Sequence, residues 1–256
     1  MSTLSYAARD SATMVRRNLI HAMRYPSLSL GSAFIPIIFL LLFVYVLGGA
    51  LGAGIAGGRY VDYLAPGIIL MTVTSSTVSA AVSISMDMTK GIVSRFRTMA
   101  ISRASLLTGH VVGNLVCTMV SIVLVIGVAL LVGFRPTATP VEWVAVFGLL
   151  ALLTLALTWV AMALGLVAKN PEGASNIVLP LTLLPLIGST FVPTDSMTPA
   201  VRVFAEYQPF TPINETLRGL LMGTPIGASG AIAVGWCVVL TVLGYLWAKR
   251  LFNRQS

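Results

Sequence analysis

The sequence predicts an all-α polytopic membrane protein with six transmembrane helices, and two observations carry that prediction. Hydrophobic residues make up 57% of the 256 residues and charged residues only 9%, whereas about 25% of an average globular chain is charged. Six stretches without Asp, Glu, Lys or Arg are each at least 22 residues long, and a helix needs about 20 residues to cross the hydrocarbon core. A soluble fold of this size could not cover its surface with so few charges.

The six spans are placed inside the charge-free stretches, within one transmembrane domain that covers residues 1–256. Prolines inside them, such as Pro36 and Pro180, are compatible with membrane helices. The spans are expected at 28–50, 64–86, 107–133, 143–168, 174–192 and 228–248.

The basic residues predict the orientation. The net charge is +8, from 16 Lys and Arg against 8 Asp and Glu. In a soluble protein that excess would suggest nucleic acid, but here its distribution indicates topology, and no nucleic-acid partner is expected. Twelve of the 16 basic residues fall on the side that holds both termini, so the positive-inside rule places both termini in the cytoplasm of a multi-pass cell-membrane protein.

Residues 1–27 precede the first span and have a basic, amphipathic pattern. Apolar residues recur near one helical face, while Arg16, Arg17 and Arg24 lie away from it. This pattern favours an interfacial helix on the inner leaflet, in contact with membrane lipids, before Pro26 turns the chain. A solvated basic leader is the alternative.

The cytoplasmic loop at 87–103 combines basic residues with an apolar stripe. Gly91 can end the second span, and Ile92, Phe96 and Met99 then recur at i, i+4 and i+7. The segment predicts a short amphipathic helix that lies along the membrane or docks into another protein. For any single arginine, ordinary positive-inside charge is the simpler explanation; the basic residues around the stripe are Arg95, Arg97 and Arg103.

The external segment before the last span contains five prolines and two apolar pieces, 200–207 and 213–222. Thr198–Pro199 and Thr211–Pro212 each have the pattern of an N-cap followed by proline at the first helical position. The pieces are too apolar for a free loop and too short to span, which favours re-entrant helices at 193–222. They would form an external gate or a rigid cap; the candidate gate residues are Phe191, Pro193, Tyr207 and Phe210.

Several kinds of chemistry are not expected. The chain has no GxxxxGK[ST] motif for ATP, and Cys117 and Cys237 lie in separate apolar runs. His21 and His110 stand near membrane borders, where a border role is favoured over a ligand or proton relay. The predicted spans hold no deep charge, which argues against a proton-driven carrier. No catalytic residue, metal ligand or cofactor is therefore predicted on this chain.

Hydroxyl groups form one face of the second span. Packing through Ser/Thr hydrogen bonds between helices is one explanation, and the wall of a substrate pathway is the other. The five residues, spaced at i, i+3, i+4, i+7 and i+11, are Thr72, Ser75, Ser76, Ser79 and Ser83.

Four stretches, in this order on six spans, resemble permease subunits of ABC-2 exporters of the daunorubicin-resistance type. They are RRNLIHAMRYP, YVDYLAPGIIL, GIVSRFRTMAISRASLLTGHVVGNLV and PLIGSTFVPTDSMT with FAEYQPFTPINETLRGLL. The resemblance covers nearly the whole chain. The sequence departs from a common family pattern at Ser94, where Glu is frequent, and at Ala100, where Pro is frequent.

The resemblance implies a connecting helix at about 3–25, an ATPase-coupling helix at 88–104 and re-entrant helices at about 193–222. It implies a nucleotide-binding ATPase subunit that carries ATP and Mg, and a second permease subunit, either identical or similar. The membrane would be a prokaryotic plasma membrane. An uncharged, hydroxyl-lined path suits an amphiphilic drug or lipid; lipid or polysaccharide export, a non-ATP channel or carrier, and a regulatory subunit are the alternatives.

Overall fold

A computed structural model describes residues 31–49, 59–89, 103–191 and 197–254, and every regular element in those ranges is a helix. The α-helices are α1 (Gly31–Leu41), α2 (Tyr60–Thr89), α3 (Arg103–Val132), α4 (Pro140–Val167), α5 (Pro171–Leu183), α6 (Pro199–Tyr207), α7 (Phe210–Met222) and α8 (Ser229–Arg254). A π-helical turn, Leu42–Val46, continues α1, and a 3₁₀ turn, Leu184–Ile187, continues α5.

Four of these helices are long and apolar enough to cross a membrane: α2, α3 from Leu107 onward, α4, and α8 as far as Phe252. The prediction of an all-α polytopic membrane protein is confirmed. Of the other two predicted spans, the one at 28–50 contains a shorter apolar helix, α1 with its π-turn, and the one at 174–192 contains most of α5 and its 3₁₀ turn. The predicted connecting helix at 1–27 lies outside the described residues.

Local side-chain chemistry sets where several helices begin. Thr139 and Glu142 form a capping box at the start of α4, with 2.6 Å from Thr139 N to Glu142 Oε2. Asn170 caps α5 by accepting from Gly173 N at 2.7 Å. Both helices have proline at their first position, where the missing N–H has no intrahelical partner to lose.

Of the two predicted Thr–Pro helix starts, one agrees with the structure. Thr198 is the N-cap of α6 and Pro199 its first residue, as expected, although no side-chain hydrogen bond caps the helix. The prediction of Thr211 as the next N-cap was wrong, since α7 begins at Phe210 after Pro209. Pro212 lies in the first turn of α7, where proline is tolerated, so the spacing alone does not fix the start.

Helix α2 lies at the centre of the bundle and packs against α1, α3, α4 and α5, while α4 also packs against α8. Side chains from α1, α2, α3, α4, α7 and α8 fill the main core together with Phe134, which follows α3; among the large ones are Leu64, Ile68, Leu150 and Phe210. A smaller core lies toward the other end of α2, with Ile84, Leu107, Met162 and Val178. We call these two ends of the bundle the Arg218 end and the Asp87 end, after the partly buried Arg218 and the buried Asp87.

Two glycines allow close approach to α2. At Gly67 an added Cβ would overlap the methyl group of Thr190, which follows α5. At Gly165 an added Cβ would lie 2.5 Å from the carbonyl oxygen of Ala81. Real Cβ atoms do not approach this closely, so α2 is held against α4 and the end of α5 by contacts that only glycine permits. Small residues at helix contacts are typical of membrane bundles.

Candidate functional site

The hydroxyl face predicted on α2 lies along the boundary between the bundle core and the outside of the chain. Thr72 and Ser76 are buried and donate to carbonyls of their own helix, Ile68 O at 3.0 Å and Val73 O at 2.7 Å. Ser75 is half-buried, and Ser79 is exposed. The five hydroxyls share a helical face, but they differ in how far the rest of the described chain covers them.

The exposed part of this face is unusual for a helix in a bilayer. Ser79 lies in α2, one of the helices long and apolar enough to cross a membrane, and a hydroxyl that faces lipid has no water to bond with. The neighbouring Ser75 is also not fully covered. A polar strip on such a helix is compatible with a lipid-free environment, either a second protein subunit or an aqueous path.

At the Arg218 end, one backbone carbonyl gathers donors from two helices. The Ser189 carbonyl oxygen accepts from Arg218 Nη2 at 2.8 Å, from Tyr63 Oη at 3.0 Å and from Asn214 Nδ2 at 3.1 Å. The Arg218 guanidinium also stacks on the Tyr63 ring, with Cζ 3.9 Å from the centroid. We call Tyr63, Ser189, Asn214 and Arg218 the Arg218 cluster; it joins α2, the segment after α5, and α7.

Burial shapes the electrostatics of this cluster. Desolvation lowers the pKa of Arg218, and the nearby Tyr63 and Glu215 act in the opposite direction. The carboxylate of Glu215 accepts from Ser229 Oγ at 2.9 Å. Buried polar atoms at Arg218 Nε and Asn214 Oδ1 have no partner within the described part of the chain. An arginine stays protonated in such a place, so a fixed positive charge is held at this end of the bundle.

The residues predicted as an external gate divide into two groups. Phe191 is buried and stacks on Phe43 of the π-helical turn, with ring centroids 4.5 Å apart. Phe210 is buried in the main core, whereas Tyr207 is 78% exposed. The structure therefore brings Phe191 and Phe210 into the bundle and leaves Tyr207 outside it. Pro193 lies outside the described residues.

A buried polar cluster at the Asp87 end was missed by the sequence analysis. His110 Nε2 lies 3.0 Å from Asp87 Oδ2, and His110 Nδ1 lies 3.2 Å from Ser83 Oγ. Asp87 was assigned to a loop, but α2 continues to Thr89 and includes it. His110 lies near the start of α3, as the expected border role requires, and its ring is in addition 7% exposed and bonded to two side chains of α2. The 23-residue separation of Asp87 and His110 gives no periodic signal in the sequence.

Most of the predicted coupling and interfacial residues fall outside the part of the chain that the structure describes. For Arg103 the structure gives only the backbone, which begins α3. The others are Arg16, Arg17, Arg24, Gly91, Ile92, Arg95, Phe96, Arg97 and Met99. In the described ranges, no group of three or more His, Cys, Asp and Glu side chains is placed to hold a metal ion.

Comparison with known proteins agrees with this architecture. Residues 10–222 match the ABC-2 type transporter family, so the chain belongs to that family. It is 28% identical, over 96% of its length and 89% of the relative's, to the daunorubicin resistance ABC transporter permease protein DrrB1 of Streptomyces coeruleorubidus. It is also 21% identical to the probable doxorubicin resistance ABC transporter permease protein DrrC of Mycobacterium tuberculosis, over 84% of this chain and 80% of that one.

Proposed function

We propose that this chain is the membrane subunit of an ATP-driven exporter that moves amphiphilic, drug-like or lipid-like molecules out of the cytoplasm or inner leaflet. The observation that carries the proposal is similarity to a drug-resistance permease over 96% of the chain. The partly exposed hydroxyl strip on α2 supports it. Hydroxyl groups that face lipid forgo hydrogen bonds, whereas hydroxyl groups that face a substrate path or a partner subunit can form them. Lipid or polysaccharide export by the same kind of permease is the alternative.

The proposed topology has six spans, with both termini in the cytoplasm. Four spans are the long apolar helices, and α1 and α5 with their continuations supply the other two. At about 1.5 Å per residue, the 17 residues of α5 and its 3₁₀ turn reach about 25 Å. This nearly matches a hydrocarbon core of about 30 Å. The split of basic residues then makes the Asp87 end cytoplasmic and the Arg218 end external.

The proposed partners are a nucleotide-binding ATPase and a second permease subunit. ATP and Mg would be bound by the ATPase, since this sequence lacks a P-loop. The segment 88–104 would dock on that ATPase. The strip around Ser79 would face the second permease, identical or similar, so that the two copies of α2 border the substrate path.

Purification and reconstitution together test the proposal. The complex is extracted from native membranes with mild detergent, and a stoichiometric soluble ATPase is expected to copurify. In vesicles of defined lipids, this complex should expel a fluorescent amphiphilic dye when ATP and Mg are added. An ATPase whose P-loop lysine is replaced by alanine provides the control.

The outcomes separate the candidate functions. Dye movement without ATP, through the permease alone, would indicate a channel or non-ATP carrier. ATP-driven movement of a labelled lipid without dye export would favour the lipid-exporting alternative. Absence of both the ATPase and transport would contradict the proposal.

A further inference from the structure

The Ser83–His110–Asp87 cluster links the two helices that flank residues 90–102. Asp87 lies in the last turn of α2, and His110 lies in the second turn of α3. Both residues are buried, although 12% of the Asp87 side chain is exposed, and the 3.0 Å contact joins the helices directly. The chain that runs between these two residues contains the whole segment, 88–104, that the proposed function assigns to ATPase docking.

The position of Asp87 is not explained by its own helix. A carboxylate near a helix C-terminus meets the negative end of the helix dipole, which disfavours it. Burial adds a desolvation penalty that a carboxylate tolerates only with good partners. Ionisable residues kept inside membrane bundles under such conditions are functional candidates by default. The contact with His110 on the next helix is therefore the feature to be explained.

The geometry keeps the imidazole bonded in either protonation state. Asp87 Oδ2 accepts from Nε2–H whether the ring is neutral or cationic. Ser83 Oγ can donate to a neutral Nδ1 or accept from a protonated one. The link between α2 and α3 thus persists through changes in local charge, which suits a mechanical connection better than a switch.

Helix α2 extends from this cluster to the other end of the bundle. Its 30 residues give a length of about 45 Å. The same helix carries the hydroxyl strip around Ser79, and Tyr63 near its other end belongs to the Arg218 cluster. Movement of the Asp87 end of α2 would therefore reach both the proposed substrate path and the Arg218 end.

We propose that Asp87 and His110 are positioning residues for energy coupling in this transporter. Their hydrogen bond holds the ends of α2 and α3 together, so that displacement of residues 90–102 moves α2 as a unit. Without the bond the two helix ends separate, and the displacement is lost before it reaches the substrate path. This inference rests on the proposed function, in which an ATPase acts on that segment.

The matched variants are His110→Gln and His110→Asn. The glutamine amide nitrogen reaches the position of Nε2 and can still donate to Asp87, whereas the shorter asparagine reaches only the position of Nδ1, toward Ser83. Both are neutral and polar, so they separate loss of the bond to Asp87 from loss of the imidazole. Asp87→Asn keeps an acceptor for Nε2–H without the charge, and Asp87→Ala removes it.

The reconstituted complex of permease and ATPase is assayed for dye export and for ATP hydrolysis, and the readout is dye exported per ATP hydrolysed. This ratio is expected to fall about tenfold in His110→Asn and Asp87→Ala, with ATPase binding retained. His110→Gln and Asp87→Asn should stay near the wild-type ratio. A merely structural role would lower folded yield and both rates together and leave the ratio unchanged.

Asn114→Ala is the control, because Asn114 Nδ2 bonds Thr158 Oγ1 at 2.9 Å between α3 and α4, one turn along from His110. It should affect yield but not the ratio. Equal ratios in His110→Gln and His110→Asn would overturn the inference, and so would a fall in Asn114→Ala as large as that in His110→Asn. If the wild-type complex itself exports no dye with ATP, that result contradicts the proposed function and, with it, the inference that rests on it.

Discussion

The guanidinium of Arg218 stacks on the ring of Tyr63, with 3.9 Å from Cζ to the ring centroid, and donates from Nη2 to the Ser189 carbonyl at 2.8 Å. One side chain thus fastens α7 to α2 and to the segment after α5. Stacking uses the planar shape of the guanidinium as well as its charge, which lysine does not reproduce.

Replacement of Arg218 with lysine should therefore destabilise the purified protein. Loss of the stacked contact and of one partly buried hydrogen bond predicts a cost of about 1–3 kcal/mol. The measurement is the thermal unfolding midpoint in detergent. Glu206→Gln is the control, because the Arg202–Glu206 pair on α6 is exposed and such pairs contribute little. Equal midpoints for Arg218→Lys and wild type would contradict the structural role of the stack.

Gly67→Ala should lower the yield of folded protein. Its new methyl group would overlap that of Thr190, and overpacking of a tight contact costs about 1–3 kcal/mol. Gly127→Ala in α3 is the matched control, since nothing lies within 4 Å of its added Cβ. Yield is compared by fluorescence-detected gel filtration. Similar yields for the two variants would show that the contact at Gly67 relaxes easily.

Two serines on one face of α2 should respond differently to leucine. Ser76 is buried, so Ser76→Leu is expected to disturb packing and reduce folded yield. Ser79 is exposed, so Ser79→Leu should preserve yield and alter which amphiphilic dyes are exported. The change should be graded, because one extra methylene in a pocket is worth about 1–3 kcal/mol. An unchanged dye profile in Ser79→Leu would count against a substrate path along this strip.

Cysteine labelling tests where α6 and α7 lie. Single cysteines are introduced in a chain with Cys117 and Cys237 replaced by alanine. Leu217→Cys in α7 should resist a bulky water-soluble maleimide, because Leu217 is fully buried in the bundle. Phe204→Cys in α6 should also resist if the apolar face of α6 rests in lipid, since Phe204 is 49% exposed in the chain itself. Rapid labelling at Phe204 would place α6 in water and remove the re-entrant assignment.

Reporter fusions test the topology. A reporter fused after Ser256 should give the signal of a cytoplasmic position, and a reporter inserted near Ala138 should give the signal of an external position. The reason is the excess of basic residues on the side of the termini. A reversed signal from either fusion would contradict the span number or the orientation.

The sequence predicts the parts of the molecule that depend on the local chemistry of consecutive residues. A bilayer requires long uncharged helices, so charge-free stretches located α2, α3, α4 and α8. The helix start at Thr198–Pro199, which has a local signal, was also found. The helical period grouped the α2 hydroxyls correctly on one face, but it gave no information about which part of that face a neighbouring helix covers.

The polar clusters could not be predicted in the same way because each depends on contacts between distant segments. Asp87 meets His110 across the chain between α2 and α3, and Arg218 meets Tyr63 at a separation of 155 residues. Each residue by itself resembles a charge at a membrane border. Only the packing of the helices makes it a buried partner.

The π-helical turn Leu42–Val46 restricts how many residues the first helix can contain. It follows α1 and brings Phe43 against Phe191, while Phe39 stacks on Phe43 with centroids 6.0 Å apart. A π-turn accommodates an extra residue relative to an α-turn, so deletion of one residue would restore α-helix and rotate the flanking side chains by about 100°. In a library of variants, replacement of one apolar residue by another in this segment should leave a folded protein, whereas deletion of a single residue should not. The number of residues in the segment sets the direction in which the side chains of the first helix point.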